Sequence, residues 1–386
     1  MDFRFDPGIE TFRAEVRAFL ADALAGADRH ADSLDLTGLA ESYERDLHRR
    51  AGARGWLDLD GVRKAVFDFE AARCDAPLID TAMTLAGHAV ATYGSPAQRG
   101  DLLPRMATGE VEMCIAYTED AAGSDLSAIA ALASRDGDGW VLSGHKVLVT
   151  GAHKADWCCT VARTRFDVPA RQGMTMFLID MRTPGVEIVR RPTMNGWTLD
   201  DVGFNDVYLG PEAVLGEPGA GWAQLTAAAA AERSSMFWLG NARHVLDLLV
   251  ALVRTGTRDG TPLADDPIAR DTVARFAVAL ADAERLARRA LWSDITGQDD
   301  PALPAMAKVT ATELLQDLAQ AATELAGPAG LIWSPLFTSD RPMHGAGDGR
   351  LAWEYLERVH GTISVGANEL QRDTIAQRGL GLPRGR

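Results

Sequence analysis

Tyr117-Thr118-Glu119-Asp120-Ala121-Ala122-Gly123-Ser124-Asp125-Leu126 ends a short apolar run that starts at Met113. It places two hydroxyls, a glycine and three acidic side chains just after a predicted strand. Such a segment presents backbone amides and small polar groups with no bulky side chain between them and a ligand. Taken alone, the same residues also describe an Asp/Ser-capped loop of an ordinary β-domain. A second informative stretch stands almost at the other end of the chain. It reads Gly366-Ala367-Asn368-Glu369-Leu370-Gln371-Arg372 and continues to Arg378-Gly379-Leu380-Gly381-Leu382-Pro383-Arg384. A short helix from about Gln371 to Gln377 is expected there, ending at Gly379, with Pro383 beyond the stop.

Outward from these stretches the hydrophobic pattern changes twice. From Pro7 to Gly109 apolar residues recur at helical spacing, as in Phe12, Val16, Phe19 and Leu20. After Glu112 come short runs rich in Val, Ile, Trp and Thr, divided by turns such as Asp136-Gly137-Asp138-Gly139. Strands are expected at Met113 to Thr118, Trp140 to Leu142, Val147 to Thr150, Trp157 to Ala162, Met174 to Ile179 and Val186 to Val189. No stretch among them is long enough for a crossover helix, which tells against βαβ units. From Gly221 onward, Ala- and Leu-rich segments predict helices over Gln224 to Arg254, Asp266 to Gly297 and Pro304 to Ala326. The fold class is α+β. The expected organisation is an N-terminal helical domain (1–111), a central small β-barrel or sandwich (112–215) and a C-terminal four-helix bundle (216–386).

In this order and near these distances from the ends, the two quoted stretches resemble the acyl-CoA dehydrogenase family of flavoproteins. Tyr93-Gly94-Ser95-Pro96-Ala97-Gln98-Arg99 is similar to that family's approach to its flavin domain. The resemblance covers nearly the whole chain. It implies FAD as cofactor, with Tyr117, Thr118, Gly123, Ser124, Leu148, Thr150, Gly366 and Glu369 around it. The threonine matching Thr118 would bond the isoalloxazine, whereas Ser124 would lie by the pyrophosphate and the acyl-thioester channel. Leu148 stands where a tryptophan commonly shields one flavin face, and Thr150 would approach the reactive nitrogen.

The residue before Gly366, where many members carry a catalytic glutamate, is Val365, which cannot accept a proton. Removing an α-proton from a thioester needs a carboxylate in a dry pocket, where desolvation raises its basicity. Glu232 of Ala231-Glu232-Arg233 matches the position used by a minority branch similar to isovaleryl- and long-chain acyl-CoA dehydrogenases. Arg233 would orient that carboxylate or meet the thioester. Glu-Arg at this point also reads as a structural ion pair. Further departures are Thr257-Arg258-Asp259-Gly260-Thr261 in place of Arg-x-x-Phe-Gly, and Glu324 where an amide is expected near the pyrophosphate. In the first domain, Gly55-Trp56 runs on without the Trp-Pro-x-x-Tyr-Gly-Gly-like loop.

The activity implied is dehydrogenation of the Cα–Cβ bond of an acyl-CoA or acyl-carrier-protein thioester, with electrons passed to an electron-transfer flavoprotein. A homo- or hetero-tetramer is expected, and two alternatives stay open: a non-catalytic or half-site partner subunit of a heteromeric acyl-CoA dehydrogenase, and a flavin monooxygenase of the same fold. The formal charge of −15 disfavours nucleic-acid binding. The absence of an uninterrupted apolar run of about eighteen residues points to no membrane and a cytoplasmic protein. The four cysteines, Cys74, Cys114, Cys158 and Cys159, lack framework spacing and read as small core residues. None of the eight histidines is paired at metal-ligand spacing, so no metal is expected, and His88 and His244 read as packed or solvent-facing. Only four of the 39 basic residues, Lys64, Lys146, Lys154 and Lys308, are lysines.

Overall fold

The computed structural model describes residues 5–25, 41–78, 81–231, 235–298, 300–332 and 349–384. Helices α1 (Pro7–Ala25), α2 (Glu41–Gly52), α3 (Gly61–Arg73), α4 (Thr81–Tyr93) and α5 (Pro96–Ala107) come first. Strands follow: β1 (Met113–Ala116), β2 (Leu132–Asp136), β3 (Gly139–Val149), β4 (Trp157–Arg163), β5 (Met174–Asp180), β6 (Val186–Pro192), β7 (Thr198–Leu209) and β8 (Val214–Leu215). Helices α6 (Gly221–Ala231) and α7 (Met236–Thr255) precede a small hairpin of β9 (Thr257–Arg258) and β10 (Thr261–Pro262). Last come α8 (Pro267–Ile295), α9 (Ala302–Ala326), α10 (Arg350–Glu357) and α11 (Asn368–Thr374). The fold is the expected mixture of helical, β and helical segments.

The chain falls into two compact units that do not follow its order. One comprises residues 1–44, 59–79 and 233–386, the other 45–58 and 80–232. The second unit is built on one sheet in the order β6-β7-β3-β2-β4-β5-β8, with β1 added in parallel to β4. The barrel or sandwich read from the sequence thus takes the form of a single sheet branched at β4. Its core gathers Val90, Leu102, Met113, Leu142, Met176, Phe177 and Phe204. Cys114, Cys158 and Cys159 are buried in it, whereas Cys74 in the first unit is half-buried. A capping box begins α5: Ser95 accepts from the Gln98 amide, and Gln98 accepts from the Ser95 amide in return.

In the first unit α7, α8 and α9 pack around Leu239, Val245, Leu249, Leu280, Leu315 and Leu318. Helix α7 is long and apolar enough to cross a membrane by length and composition, but its apolar face is spent on this core. Helix α3 approaches α7 closely at Gly240, where a Cβ would meet the Phe69 carbonyl oxygen at 2.4 Å.

Several elements differ from the sequence reading. The helix expected from Gln224 to Arg254 is two helices, and Ser235 forms a turn before Met236. The alanine run hid this boundary, although serine favours helix ends over interiors. The runs at Trp140 and Val147 belong to one strand, β3, continuous through Gly144. Strands β2 and β7 carry the Asp, Asn and Gly content that local propensity assigns to turns, and their pairing with β3 overrides it.

Candidate functional site

In the second unit the stretch that opens the sequence reading leaves β1 and is stitched to β3. The Val147 amide donates to the Thr118 carbonyl at 3.0 Å. Glu119 and Ala122 exchange backbone hydrogen bonds of 3.0 Å each, closing a tight turn that presents Gly123 and Ser124 to solvent. A Cβ added at Gly123 would meet nothing within 4 Å. Asp125 then accepts from the Ser127 hydroxyl at 2.5 Å and the Ser127 amide at 3.0 Å, which together hold its carboxyl below the usual aspartate range.

Strand β3 supplies the other side of this rim. Its register against β7 shifts between Lys146 and Val149, and Leu148 sits in that bulge with φ of 58°. The left-handed backbone turns the Leu148 side chain outward, leaving it 62% exposed. Thr150 is exposed beside it in sequence, and the turn that follows is anchored by His153, whose Nδ1 lies 2.7 Å from Oδ2 of the buried Asp200. Among the described residues the hydroxyls of Thr118, Ser124 and Thr150 have no protein partner. Unpaired hydroxyls, an open glycine and an outward apolar side chain fit the polar edge and apolar face of a flavin ring. Tyr117 turns inward instead: its hydroxyl lies 3.5 Å from Cys159 Sγ, and burial together with that thiol pushes the phenol well above its ordinary value.

The first unit holds the tail stretch. Val365 has φ of 53° and Gly366 φ of 84°. A left-handed β-branched residue is a steric outlier, and such strain concentrates where a chain's shape is functional. Nζ of Lys308 donates to the Gly366 carbonyl at 3.2 Å and to Asn368 Oδ1 at 2.7 Å. Gln371 Nε2 also donates to the Gly366 carbonyl. Glu369 is exposed in the first turn of α11.

Glu232 and Arg233 lie outside the described residues, between α6 and Ser235. Glu324 is exposed near the end of α9 and accepts from Gln320. Arg258, in the hairpin, donates to the Leu325 carbonyl at 2.9 Å, so it serves the end of α9.

Sequence reasoning missed the supports of both stretches. Lys146 is fully buried in β3, and its Nζ donates to Glu119 Oε1 at 2.7 Å, the Val161 carbonyl at 2.9 Å and the Tyr117 carbonyl at 3.3 Å. Burial draws the Lys146 ammonium below the usual lysine value, against the opposing pull of Glu119. The signal available was a lysine inside an apolar strand of a chain that otherwise uses arginine.

Two other features stand apart from the rim. A cavity of about 350 Å³ is lined by Gln98, Asp101, Trp157, Asp180, Tyr208 and Glu212 and shares no residue with it. Asp75, His244 and Glu354 in the first unit place ligand-type atoms within 4.8 Å of one another. Arg350 and Arg358 reach the same carboxylates and supply the positive charge a cation would bring. His244, read from sequence as packed or solvent-facing, is thus packed within a charged cluster.

Three family models match the chain in order. They describe the acyl-CoA dehydrogenase N-terminal domain at residues 7–110, middle domain at 114–209 and C-terminal domain at 219–380. The acyl-CoA dehydrogenase IpdE1 of Mycobacterium tuberculosis is 31% identical, over 97% of this chain and 98% of the relative. Among solved structures, the Tcur3481-Tcur3483 steroid ACAD superposes with a TM-score of 0.88 at 25% identity, covering 100% of both chains. The ChsE4-ChsE5 complex from Mycobacterium tuberculosis gives 0.87 at 24% identity, again over 100% of both chains, and supports the fold.

Proposed function

This chain belongs to the acyl-CoA dehydrogenase family of FAD-dependent oxidoreductases acting on CH–CH bonds, and from that premise we propose that it desaturates the Cα–Cβ bond of an acyl-CoA thioester with Glu232 as base. The observation that carries the reading is the rim of the second unit, where Thr118, Ser124 and Thr150 offer hydroxyls with no protein partner among the described residues.

Bound FAD supplies the two-electron acceptor for the β-hydrogen, which leaves as hydride. The chain's own residues do the rest. Thr118 and Thr150 would offer hydrogen bonds to the polar edge of the ring system, and Leu148 would cover its face. The Glu232 carboxylate takes the α-proton, so the C–H electron pair becomes the new carbon–carbon π bond as the hydride departs. Arg233, one residue on, would orient that carboxylate or meet the thioester. Val365 contributes no acid–base chemistry, which is the reason for looking to Glu232. The same proposal extends to an electron-transfer flavoprotein as acceptor, and leaves an acyl-carrier-protein thioester as a second substrate form.

The test is Glu232→Gln in purified, flavin-loaded protein, mixed anaerobically with a set of acyl-CoA thioesters. Loss of a general base lowers rates by about 10²–10⁴-fold. We expect flavin to be retained and substrate-driven bleaching to fall by that order; bleaching at the wild-type rate would remove Glu232 from the role.

A second reading is favoured by one specific observation, the strained Val365 at the position where many members hold a catalytic glutamate. Under it the chain is the partner subunit of a heteromeric dehydrogenase and completes a site on a paralogue. Flavin content separates the two: a chain that retains FAD when purified alone supports the first, whereas one that gains FAD only when mixed with a paralogue supports the second.

A further inference from the structure

The two stretches that carry the flavin reading are each tied down by a buried lysine, in a chain where 39 basic residues include only four lysines. Lys146 is fully buried and Lys308 is 3% exposed, while Lys64 and Lys154 are partly exposed. We propose that Lys146 and Lys308 are positioning residues, each an ammonium clamp that sets, within its own unit, the backbone of one stretch assigned to FAD; this rests on the flavin reading above.

The geometry of the two clamps is alike. Three donors of Lys146 meet three acceptors, Glu119 Oε1, the Val161 carbonyl and the Tyr117 carbonyl. Glu119 in turn accepts from the Ala130 amide at 2.7 Å and the Ala131 amide at 3.1 Å. The ion pair therefore joins β3 and β4 to the segments on either side of Gly123 and Ser124. Since the Val147 amide holds the Thr118 carbonyl, the Thr118 hydroxyl and the Leu148 bulge are set by one buried charge.

Lys308, on α9, grips the Gly366 carbonyl and Asn368 Oδ1. Asn368 Nδ2 donates to Glu313 Oε1 at 3.0 Å, which ties the first turn of α11 back to α9. The strained Val365 is followed directly by this clamped carbonyl. A left-handed valine persists where its surroundings over-determine the backbone, and Lys308, Asn368 and Gln371 do so here.

Lysine suits these places and arginine does not. An ammonium is a compact point charge with three rotatable donors, whereas a guanidinium is a planar fork with five. Lys146 is fully buried on three converging acceptors, and Lys308 is 3% exposed on the Gly366 carbonyl and Asn368 Oδ1, so the bulkier guanidinium would have to displace packed neighbours at either place. The chain's preference for arginine elsewhere makes its retention of lysine at these two buried positions informative.

The test compares wild-type protein with Lys146→Arg, Lys308→Arg and, as control, Lys64→Arg at a partly exposed lysine paired with Asp68. Lys146→Met strands the Glu119 carboxylate, so the pair Lys146→Met, Glu119→Gln, which removes both charges together, keeps the test open if a single variant does not fold. Two readouts are taken on each: the Kd for FAD, and amide hydrogen exchange over residues 117–119 and 366–371. The proposal expects Kd to rise at least about tenfold in each clamp variant. Exchange should quicken only in that variant's own stretch, and Lys64→Arg should match wild type in both readouts. Clamp variants that bind FAD as wild type does, or whose exchange quickens throughout the core, overturn it. If the wild-type chain itself takes no FAD, the flavin reading fails. The clamps then stand or fall on whether exchange quickens locally.

Discussion

Val365 and Leu148 share an unusual trait: each is a branched apolar residue in the left-handed region, and each lies in a stretch singled out from sequence. Left-handed backbone costs a non-glycine residue roughly 1–2 kcal/mol, whereas glycine adopts it freely but loses roughly 0.5–1 kcal/mol through chain entropy. Val365→Gly is therefore expected to leave stability unchanged or raise it by up to about 1 kcal/mol. Urea unfolding checks this, and a lowered midpoint would mean that the valine side chain contributes more packing than its backbone costs. The substitution to valine at this position was plain in the sequence. Its strain was not, because φ at one residue is decided by what holds its neighbours, here Lys308 and Gln371.

At the scale of elements, α7 and α3 meet through Gly240. An added Cβ would lie 2.4 Å from the Phe69 carbonyl oxygen and 2.7 Å from Ala72 Cβ, with backbone on one side leaving nothing flexible to yield. Gly240→Ala should destabilise by about 1–3 kcal/mol despite alanine's better helix propensity. Denaturation of the variant would reveal this directly; a gain in stability would show that the helices separate without cost. Helix existence was legible from the alanine- and leucine-rich periodicity of α7, α8 and α9. The identity of α7's partner was not, since α3 lies far upstream and its own pattern of Ala65, Val66, Phe69 and Ala72 announces an apolar face without naming what covers it.

At the scale of the whole molecule, the acidic balance of 54 against 39 says how the chain meets polyanions, but little about its pH stability. One source of that is the charged cluster around Glu354 in the first unit. Nε of Arg350 and Nε of Arg358 each donate to Glu354 at 2.6 Å. Burial alone would raise the Glu354 carboxyl, yet the two guanidinium groups overcome it and hold the carboxyl at about 2, against an ordinary 4.5. A depressed carboxylate stabilises the fold fully above its unfolded value. That contribution, on the order of 3 kcal/mol, is lost as pH falls from 4.5 toward 2. Wild-type stability should drop across that window. Glu354→Gln should be less stable at neutral pH and show a flatter acid limb; parallel acid limbs for the two proteins would place the proton uptake elsewhere.

Two stretches and two changes of hydrophobic period determined, from sequence alone, the family and the α, β, α order, and they singled out Thr118, Gly123, Ser124 and Thr150 as candidates for the rim. Local patterns carry such information because side-chain periodicity and small polar loops are properties of neighbours in the chain. Only the tertiary structure decided that Lys146 closes on Glu119 and Val161, that Lys308 holds Gly366, and that Asp75, His244, Arg350 and Glu354 share one buried cluster. Apart from Arg350 and Glu354, neighbours on one helix, those pairings join residues 15 to 275 positions apart, and partners so distant are chosen by packing and by the cost of leaving a buried charge unmatched.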